Sequence, residues 1–498
     1  MDLKLSDLLE DIQKNLSAKE FYNINIFVND LMEQVRLKSK SIDEIRVLIG
    51  FGGGKDSSWV ISFLRTAQLL CQKKYNKTFA IDVVTMIHLG MPFQVFENID
   101  AVYSKLQMYN QDNITLNIYS YGSIGSFQKN NNLPENIKRL LREDILVFAN
   151  KCFADPRPTF CYSCNFHMVN SFISNIRKDT CFILSGDSKE ELTFYEDWLK
   201  TLFSRYRIGG ESSELNLKQG ILNFINFEKK VLEDIFPDED DVLSRIPKID
   251  KTIIPSDIKF IIIHNYTQYQ VDAHKDFLYK FLGFKLHKET LNFSESDCRY
   301  PLVMAHIRGI SAEESGRGYE QGIKEYLQLG NSLMRSKSFP EQIIQEVNSR
   351  YSPDNIEYMR RITESYLNDE LNISNQQLVC AIYSPFPEHA LNLHQFLAKK
   401  YPEMLERETQ IRAALAGENT SKDQDIIDFL EKVSGLRLQY LQKIYKSNIV
   451  YPLIINETAC TKTSDCILEV IREKDPHKKQ IEYILNDGRE IKEIITGR

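Results

Sequence analysis

The sequence has no continuous apolar stretch near the roughly 20 residues that a membrane-spanning helix needs, and its first residues lack the basic start and apolar run of a signal peptide. It also has no excess of positive charge, because 62 Lys and Arg residues are scattered among 69 Asp and Glu residues. The formal net charge of -7 gives little general attraction for a phosphate backbone. We therefore expect a cytoplasmic protein that does not act on a membrane, and a nucleic acid is disfavoured as its partner.

The 498 residues contain no internal repeat and no low-complexity tract, and 42% of them are hydrophobic and 26% charged, as in globular proteins. A chain of this length exceeds one ordinary hydrophobic core, which predicts two to four domains or a catalytic core with large additions. In a reducing compartment, a cluster among the nine cysteines favours metal or sulfur chemistry over a disulfide framework.

Apolar periodicity divides the chain into segments. Residues 1–44 place apolar side chains three and four apart, which predicts a helical amino-terminal segment. Residues 45–310 alternate short apolar runs with helical patterns, and this alternation predicts an α/β fold with a doubly wound, five-stranded parallel sheet. The predicted strands are Val47–Phe51, Ile81–Ile87, Ile114–Tyr119, Cys181–Leu184 and Phe260–Ile263.

Two further regions complete the predicted organisation. The fourth and fifth apolar runs are separated by more residues than an ordinary connection needs, which predicts a helical insertion near residues 195–250. Residues 311–498 are predicted to form a large helical carboxyl-terminal domain. Its tail is predicted to end in a small β-hairpin, because Asp487 and Gly488 provide a tight turn between two alternating segments.

A glycine-rich loop follows the first predicted strand and precedes a helical pattern. Gly52, Gly53 and Gly54 carry no side chains, so the backbone can turn sharply and bring its N–H groups close to phosphate oxygens. Lys55 adds a positive charge. Neither the Walker pattern nor the full Gly-x-Gly-x-x-Gly pattern fits this loop. The loop predicts phosphate binding, and the alternative is a strand-to-helix turn that serves packing.

The residues after the glycines complete a motif. Ser57 or Ser58 can cap the helix that follows, and the amino end of a helix favours an anion. The run from Gly52 to Ser57 resembles the Ser-Gly-Gly-x-Asp-Ser signature of the PP-loop, or N-type, ATP pyrophosphatases, also called adenine nucleotide alpha hydrolases, with Gly52 in place of the first Ser. The resemblance covers about residues 45–309 and implies a HUP-like sheet that binds ATP and Mg²⁺ across the carboxyl ends of its strands.

Two later segments extend this resemblance. Gly186 and the pair Glu190 and Glu191 resemble the family's Gly-His-x-x-Asp-Asp element, although Asp187 stands where His is common. The resemblance implies that Gly186 contacts the nucleotide and that Glu190 or Glu191 holds Mg²⁺, whereas two surface glutamates at a helix start are the alternative. Arg299 resembles the basic residue of an Arg/Lys-x-Pro-Leu segment, and a simple helix start is compatible with it as well.

The resemblance also implies roles in catalysis. Lys55 and Arg299 neutralise phosphate charge, and Asp56 and Glu191 are the candidates for the Mg²⁺ side of the site. From topology alone, the residues from His88 to Met91, after the second strand, are expected near adenine. The alternative for them is an ordinary strand-exit loop.

A cysteine and histidine cluster lies between the third and fourth predicted strands. Cys152, Cys161, Cys164 and His167 are spaced C-x8-C-x2-C-x2-H, with Pro156 stiffening an intervening loop. All four could hold a structural Zn²⁺ in a tetrahedron, which is the first choice, or the three cysteines could hold a [4Fe-4S] cluster with one open iron. The alternative is a set of inert cysteines with a hydrogen-bonded histidine.

Together these features predict an enzyme that adenylates its substrate. By resemblance, a carbonyl or carboxylate oxygen attacks the α-phosphate of ATP, pyrophosphate leaves, and a sulfur or nitrogen nucleophile then displaces AMP, as in ligases and in sulfur- or amido-transferases. The expected acceptor is a small molecule, a modified base or a peptide, with a sulfur or ammonia donor protein as a further partner. Two other functions stay open, namely a nucleotide-binding protein without turnover and a transfer-RNA-thiolating enzyme.

Overall fold

A computed structural model describes most of the chain, including all five predicted strands and the glycine loop. The described residues are 3–151, 154, 156–186, 217–236, 238, 242–267, 274–287, 300–336, 339–418, 423–447, 478–484 and 490–496.

A six-stranded mixed sheet lies at the centre of an α/β fold that is otherwise mostly helical. The order of the strands across the sheet is β4-β3-β2-β1-β5-β6. All neighbouring pairs are parallel except β3 and β4, which are antiparallel. Each of the five predicted apolar runs overlaps one of the parallel strands. The strands are β1 (Arg46–Gly50), β2 (Ala80–Met86), β3 (Ile114–Ser120), β4 (Ser123–Ser126), β5 (Thr180–Ser185) and β6 (Lys259–Ile262).

Strand β4 corrects the predicted sheet, which had five strands and no antiparallel member. Ser120 pairs with Ser123, so only Tyr121 and Gly122 connect β3 to β4. Both connecting residues have positive φ angles, +46° and +79°, and such two-residue turns match the twist of a hairpin. All four residues of β4 are exposed. Because neither of its faces is buried, the strand has no apolar alternation that could reveal it in the sequence.

Helices cover both faces of the sheet, and alternate residues of each strand point into different cores. Val47 and Ile49 of β1 belong to a core formed with the amino-terminal helices, whereas Leu48 belongs to the core on the opposite face. That second core also contains the helices after residue 300. Gly50 permits close packing here, since an added Cβ would lie 2.6 Å from Cζ of Phe172.

The helices of the first core precede or follow β1 and β2. A capping box formed by Ser17 and Glu20 starts the second of them. The ring of Phe27 on that helix packs edge-on against Phe63, with 5.3 Å between ring centroids. The helices are α1 (Leu3–Asn15), α2 (Ala18–Leu37), α3 (Lys55–Tyr75) and α4 (Phe93–Lys105).

The second core is formed by helices from the middle and from the carboxyl-terminal part of the chain. One of them, α7, lies within the predicted insertion, and the helical pattern predicted after residue 311 is present. The domain boundaries stay predictions. These helices are α5 (Glu135–Lys151), α6 (Pro156–Asn175), α7 (Leu217–Ile235), α8 (Tyr300–Glu314), α9 (Tyr319–Ser336), α10 (Glu341–Arg350), α11 (Ile356–Leu371), α12 (Asn375–Tyr383), α13 (Pro387–Ala390), α14 (Leu393–Lys400), α15 (Glu408–Ala416), α16 (Gln424–Ser434) and α17 (Leu438–Tyr445).

The tail of the chain contains the predicted hairpin strands. Strand β7 (Lys478–Ile484) pairs antiparallel with β8 (Glu490–Thr496), in a register that joins Ile484 to Glu490. The turn residues Asp487 and Gly488 lie outside the described residues. Among the helices that the structure describes, none is long and apolar enough to cross a membrane.

Candidate functional site

The loops that follow the five parallel strands meet at one edge of the sheet. Because neighbouring parallel strands point the same way, the segments after β1, β2, β3, β5 and β6 all leave from their carboxyl ends. The chain continues from β1 toward β2 and β3 on one side, and from β5 toward β6 on the other. The strand order therefore reverses between β1 and β5, and ligands of open α/β sheets bind in the crevice at such a point.

The glycine loop lies at this reversal. Phe51 still belongs to the sheet ladder, since its N–H donates to the carbonyl of Val84 at 2.9 Å. Gly53 has a φ of +72°, and an added Cβ would lie 2.7 Å from side-chain carbons of both Val95 and Ile99 on α4. A side chain at position 53 is thus excluded twice, by the backbone conformation and by the helix packed against it.

The start of helix α3 differs from the predicted cap. The N-cap residue is Gly54, in an extended conformation, and it has no side chain with which to cap the helix. Ser57 and Ser58 are the third and fourth residues of the helix, and their hydroxyls donate backward to the carbonyl of Gly54 at 3.1 Å and 2.7 Å. The predicted capping by these serines is therefore wrong, because the glycines let the helix begin at Lys55, upstream of them.

Lys55 and Asp56 occupy the first turn of α3. The Lys55 ammonium lies 3.7 Å from a carboxylate oxygen of Asp56, with 23% of the lysine side chain and 58% of the aspartate side chain exposed. An ion pair of this length between exposed groups contributes little to stability.

Gly186 lies on the other side of the reversal, directly after β5. It is close to α3, because an added Cβ would lie 3.1 Å from a methyl carbon of Val60. Its carbonyl oxygen lies 2.5 Å from Nε2 of His264, at hydrogen-bonding distance. His264 follows β6, so this contact connects the segment after β5 with the segment after β6. The contact lies beside the amino-terminal half of α3. The sequence prediction did not include His264.

The loop from His88 to Met91 follows β2 and is held by the carboxyl-terminal helices. His88 is buried, with Nδ1 3.2 Å from the carbonyl of Leu89. The hydroxyl of Tyr366 on α11 donates to the carbonyl of Gly90 at 3.2 Å. Gly90 has a φ of +75°, and an added Cβ would lie 2.3 Å from that hydroxyl. Tyr366 is 276 residues away from Gly90 in the chain, and its helix thus holds the loop that follows the carboxyl end of β2.

Several predicted site residues lie outside the described residues, and their assignments stay predictions. They are Cys152, Glu190, Glu191 and Arg299.

Part of the cysteine and histidine cluster lies on a helix. The segment predicted as a stiffened loop after Pro156 is helix α6, and Pro156 is its first residue, a position that suits proline. Cys161, Cys164 and His167 occupy positions three apart along α6. Cys164 is a half-buried free thiol. The side chain of Cys161 lies outside the description, and no group of three His, Cys, Asp or Glu side chains that could hold a metal occurs in the described part.

His167 belongs to a buried polar group that sequence reasoning missed, here named the Asp144 cluster and formed by Tyr121, Asp144, His167 and Arg245. Arg245 Nε donates to Asp144 Oδ1 at 2.8 Å, and the Tyr121 hydroxyl donates to Oδ2. The His167 ring packs on Tyr121, with 4.4 Å between ring centroids. His167 is 5% exposed, and its Nε2 lies 3.8 Å from Asp144 Oδ2, within the range of an ion pair. That separation is too long for a hydrogen bond, and neither ring nitrogen has a hydrogen-bond partner among the described residues.

The charges in the Asp144 cluster depend on one another. Burial alone would raise the pKa of Asp144, but chiefly the charge of Arg245 holds that pKa below its ordinary value. A second carboxyl group, that of Glu228 on α7, accepts a hydrogen bond from Asn170 at 2.7 Å. Burial raises the pKa of Glu228 well above its ordinary value, although the hydrogen bond from Asn170 acts to lower that pKa. The pKa values of the two carboxyl groups of this region are thus shifted in opposite directions.

These buried partners are hard to recognise from the sequence. Glu143 and Asp144 are adjacent acidic residues within the amphipathic helix α5, and acidic residues usually face water. Arg245 is 101 residues away from Asp144 in the chain. No pattern within either segment pairs the two.

No protein-family model matches the chain, and no curated protein sequence matches it significantly. Function is therefore inferred from the glycine loop and the groups around it.

Proposed function

We propose that this chain is an enzyme that adenylates its substrate with ATP and releases pyrophosphate, as the PP-loop ATP pyrophosphatases do. One observation carries the proposal. A parallel strand ends in a glycine turn with Gly53 at positive φ, and a 21-residue helix then starts at Lys55, at the point where the strand order reverses. The parallel strands lie in the order β3-β2-β1-β5-β6, and the reversal of this order beside β1 supports the proposal.

In the proposed site, the glycine loop and the amino end of α3 hold the β- and γ-phosphates of ATP. The backbone N–H groups of such a loop, together with the helix dipole, stabilise the negative charge that the departing pyrophosphate gains. Lys55 and Arg299 would neutralise further charge. Asp56 and Glu191 would hold Mg²⁺ through carboxylate oxygens, which are the ligands this ion prefers.

The proposed step balances without an oxidant or reductant. A substrate oxygen attacks the α-phosphorus, a new oxygen–phosphorus bond forms, and the bond between the α-phosphorus and the α,β-bridging oxygen breaks. Pyrophosphate takes that electron pair and leaves, and Mg²⁺ held by Asp56 and Glu191 would stabilise its charge. A sulfur or nitrogen nucleophile then attacks the activated carbon, and AMP departs.

A nucleotide-binding protein without turnover is the second candidate, and one observation favours it. Gly52 has no hydroxyl where the family has Ser, and the hydroxyls of Ser57 and Ser58 donate to the Gly54 carbonyl in this structure. Backbone N–H groups would then be the main phosphate ligands. Nucleotide binding is expected of both candidates, whereas release of pyrophosphate is expected of the enzyme alone.

We also propose that Cys152, Cys161, Cys164 and His167 hold Zn²⁺ or, through the three cysteines, a [4Fe-4S] cluster. The buried His167 ring supports this proposal. Its nitrogens make no hydrogen bond within the described residues, and Nε2 lies 3.8 Å from the Asp144 carboxylate, a kind of group that orients metal-binding histidines. Zinc there would stabilise the fold, and an iron-sulfur cluster would supply sulfur chemistry. Metal content of the purified protein tests this, since Cys161→Ala should lose the metal and Cys71→Ala, a buried free cysteine on α3, should keep it.

The experiment for the main proposal compares two matched aspartate variants. Asp56→Ala removes the exposed carboxylate of the first turn of α3. Asp112→Ala makes the same change at an exposed position directly before β3, hence at the opposite edge of the sheet. With ATP, Mg²⁺ and the small molecules of a cell extract as acceptors, we expect AMP formation by the wild type and Asp112→Ala, with a loss of about a hundredfold or more for Asp56→Ala. Equal rates for the two variants would contradict the assigned role of Asp56.

A further inference from the structure

A groove runs beside the carboxyl edge, between helix α2 and the segment that follows β6. It has a volume of about 390 Å³, within the range of small-molecule sites. One wall is the segment from His264 to Thr267. The other wall is formed by Lys19, Asn23, Ile26 and Asp30 of α2.

The α2 wall is a single stripe of the helix. Lys19, Asn23, Ile26 and Asp30 are separated by four, three and four residues, the spacing of side chains on one helix face. Eleven residues of helix correspond to about 16 Å along its axis. The groove is therefore elongated, with a cationic group at one end and a carboxylate at the other.

The Lys19 end of the groove is linked to helix α3 by a series of side-chain contacts. Glu20, the next residue, contacts Nδ1 of His274, whose ring stacks on Trp59 with 3.5 Å between centroids and 6° between planes. Trp59 is the fifth residue of α3, and its indole N–H donates to the Thr267 hydroxyl in the groove at 3.2 Å. The start of α3, where the phosphates are proposed to bind, is thus connected to the groove through direct contacts.

The second wall of the groove, the segment after β6, contacts the segment after β5 at the crevice where the strand order reverses. His264 lines the groove and lies 2.5 Å from the carbonyl of Gly186. At the far end, the hydroxyl of Tyr266 donates to Asp30 Oδ2 at 3.0 Å. This bond orients the Asp30 carboxylate, which has lone pairs enough to accept from an ammonium group as well.

We propose that this groove binds the acceptor substrate, and that the acceptor is a short zwitterionic peptide. Its carboxylate lies against Lys19, and its ammonium group lies toward Asp30. A compact amino acid would cover only a small part of the distance between the two charges. An extended peptide of three residues is about 10 Å long, and the flexible Lys19 side chain can cover the rest of the distance. This inference rests on the proposed function, because it identifies the oxygen that attacks ATP.

The corresponding reaction forms an acyl adenylate. A carboxylate oxygen of the peptide attacks the α-phosphorus, the bond to the α,β-bridging oxygen breaks, and pyrophosphate leaves. No proton is transferred in this step, because the attacking carboxylate is already ionised. The side of the peptide away from the reacting carboxylate supplies binding energy along the groove.

Binding can be measured without ATP, through the fluorescence of Trp59. The chain has one other tryptophan, so a Trp198→Phe background isolates the signal. Trialanine is the probe, and its carboxamide and its N-acetyl form each lack one terminal charge. We expect a saturable change in emission with trialanine and binding weaker by about tenfold for each modified form, the loss of one charged contact.

Two variants assign the ends of the peptide. Lys19→Met should weaken the binding of trialanine about tenfold and leave the binding of its carboxamide unchanged. Asp30→Asn should weaken the binding of trialanine about tenfold and leave the binding of its N-acetyl form unchanged. The controls are Lys14→Met and Asp7→Asn on α1, which should match the parent protein. The inference is overturned if no peptide changes the Trp59 emission, or if Lys19→Met weakens trialanine and its carboxamide equally.

The same proteins separate this inference from the proposed function. AMP formed with other acceptors, without peptide binding in the groove, overturns the peptide assignment and leaves the ATP pyrophosphatase in place. Peptide binding with the charge dependence above, but without AMP formation, supports the groove and contradicts adenylation.

Discussion

The hydroxyl of Tyr366 on α11 donates to the carbonyl of Gly90 at 3.2 Å, and this bond ties the carboxyl-terminal helices to a loop of the candidate nucleotide site. The loop follows β2, next to the strand that ends in the glycine loop. A change in α11 should therefore reach the nucleotide.

Replacing Tyr366 by Phe removes this hydrogen bond and keeps the ring. We expect the free energy of unfolding to fall by about 0.5–1.5 kcal/mol, the net contribution of one hydrogen bond, and the affinity for ATP to fall with it. Urea unfolding and nucleotide titration measure the two effects. Tyr358→Phe is the matched control, because Tyr358 lies on the same helix with its side chain 55% exposed. An unchanged ATP affinity in Tyr366→Phe would separate α11 from the site.

Gly53→Ala tests the glycine turn. An alanine at φ +72° and 2.7 Å from carbons of Val95 and Ile99 must displace the loop or α4, so we expect a loss of about 1–3 kcal/mol in stability and loss of ATP binding. Gly220→Ala is the control, because position 220 lies within helix α7 and has open space around it. That change should stabilise the protein by up to about 1 kcal/mol, and a Gly53→Ala protein that binds ATP normally would contradict the proposed cradle.

Arg245→Met tests the Asp144 cluster. The Arg245 guanidinium is buried against the Asp144 carboxylate, so its removal leaves a buried charge without its partner. We expect the free energy of unfolding to fall by about 3–5 kcal/mol in a denaturant titration. Arg350→Met breaks an exposed pair with Glu346 four residues earlier on one helix, and it should cost less than about 1 kcal/mol. Similar losses in both variants would show that burial does not determine how much stability is lost when an arginine–carboxylate pair is broken.

Glu228→Gln should stabilise the protein at high pH and not at low pH. Because the folded-state pKa of Glu228 is raised, the folded chain binds a proton that the unfolded chain loses above the ordinary pKa of glutamate. The wild type therefore loses stability as the pH rises toward the raised pKa, whereas glutamine keeps the hydrogen bond from Asn170 and has no proton to lose. Urea unfolding at pH 4 and pH 8 measures the difference, and a gain that is equal at both pH values would contradict the raised pKa of Glu228.

How much the sequence reveals depends on whether a feature is local. The strand from Arg46 to Gly50 and the turn at Gly53 are visible because apolar runs and glycines express their geometry within a few residues. The prediction that Ser57 caps α3 is wrong. Several residues could serve as the cap, and the glycines determine which of them does. The pairing of Asp144 with Arg245 could not be predicted, because neither segment carries information about the other.

The most direct measurement identifies the products of ATP turnover. Purified protein is incubated with ATP, Mg²⁺ and a mixture of acceptors that includes trialanine, and the nucleotides and phosphates are separated. The proposed function predicts AMP and pyrophosphate in equal amounts, formed only when an acceptor is present. ADP with inorganic phosphate, or bound ATP that stays intact with every acceptor, would contradict it.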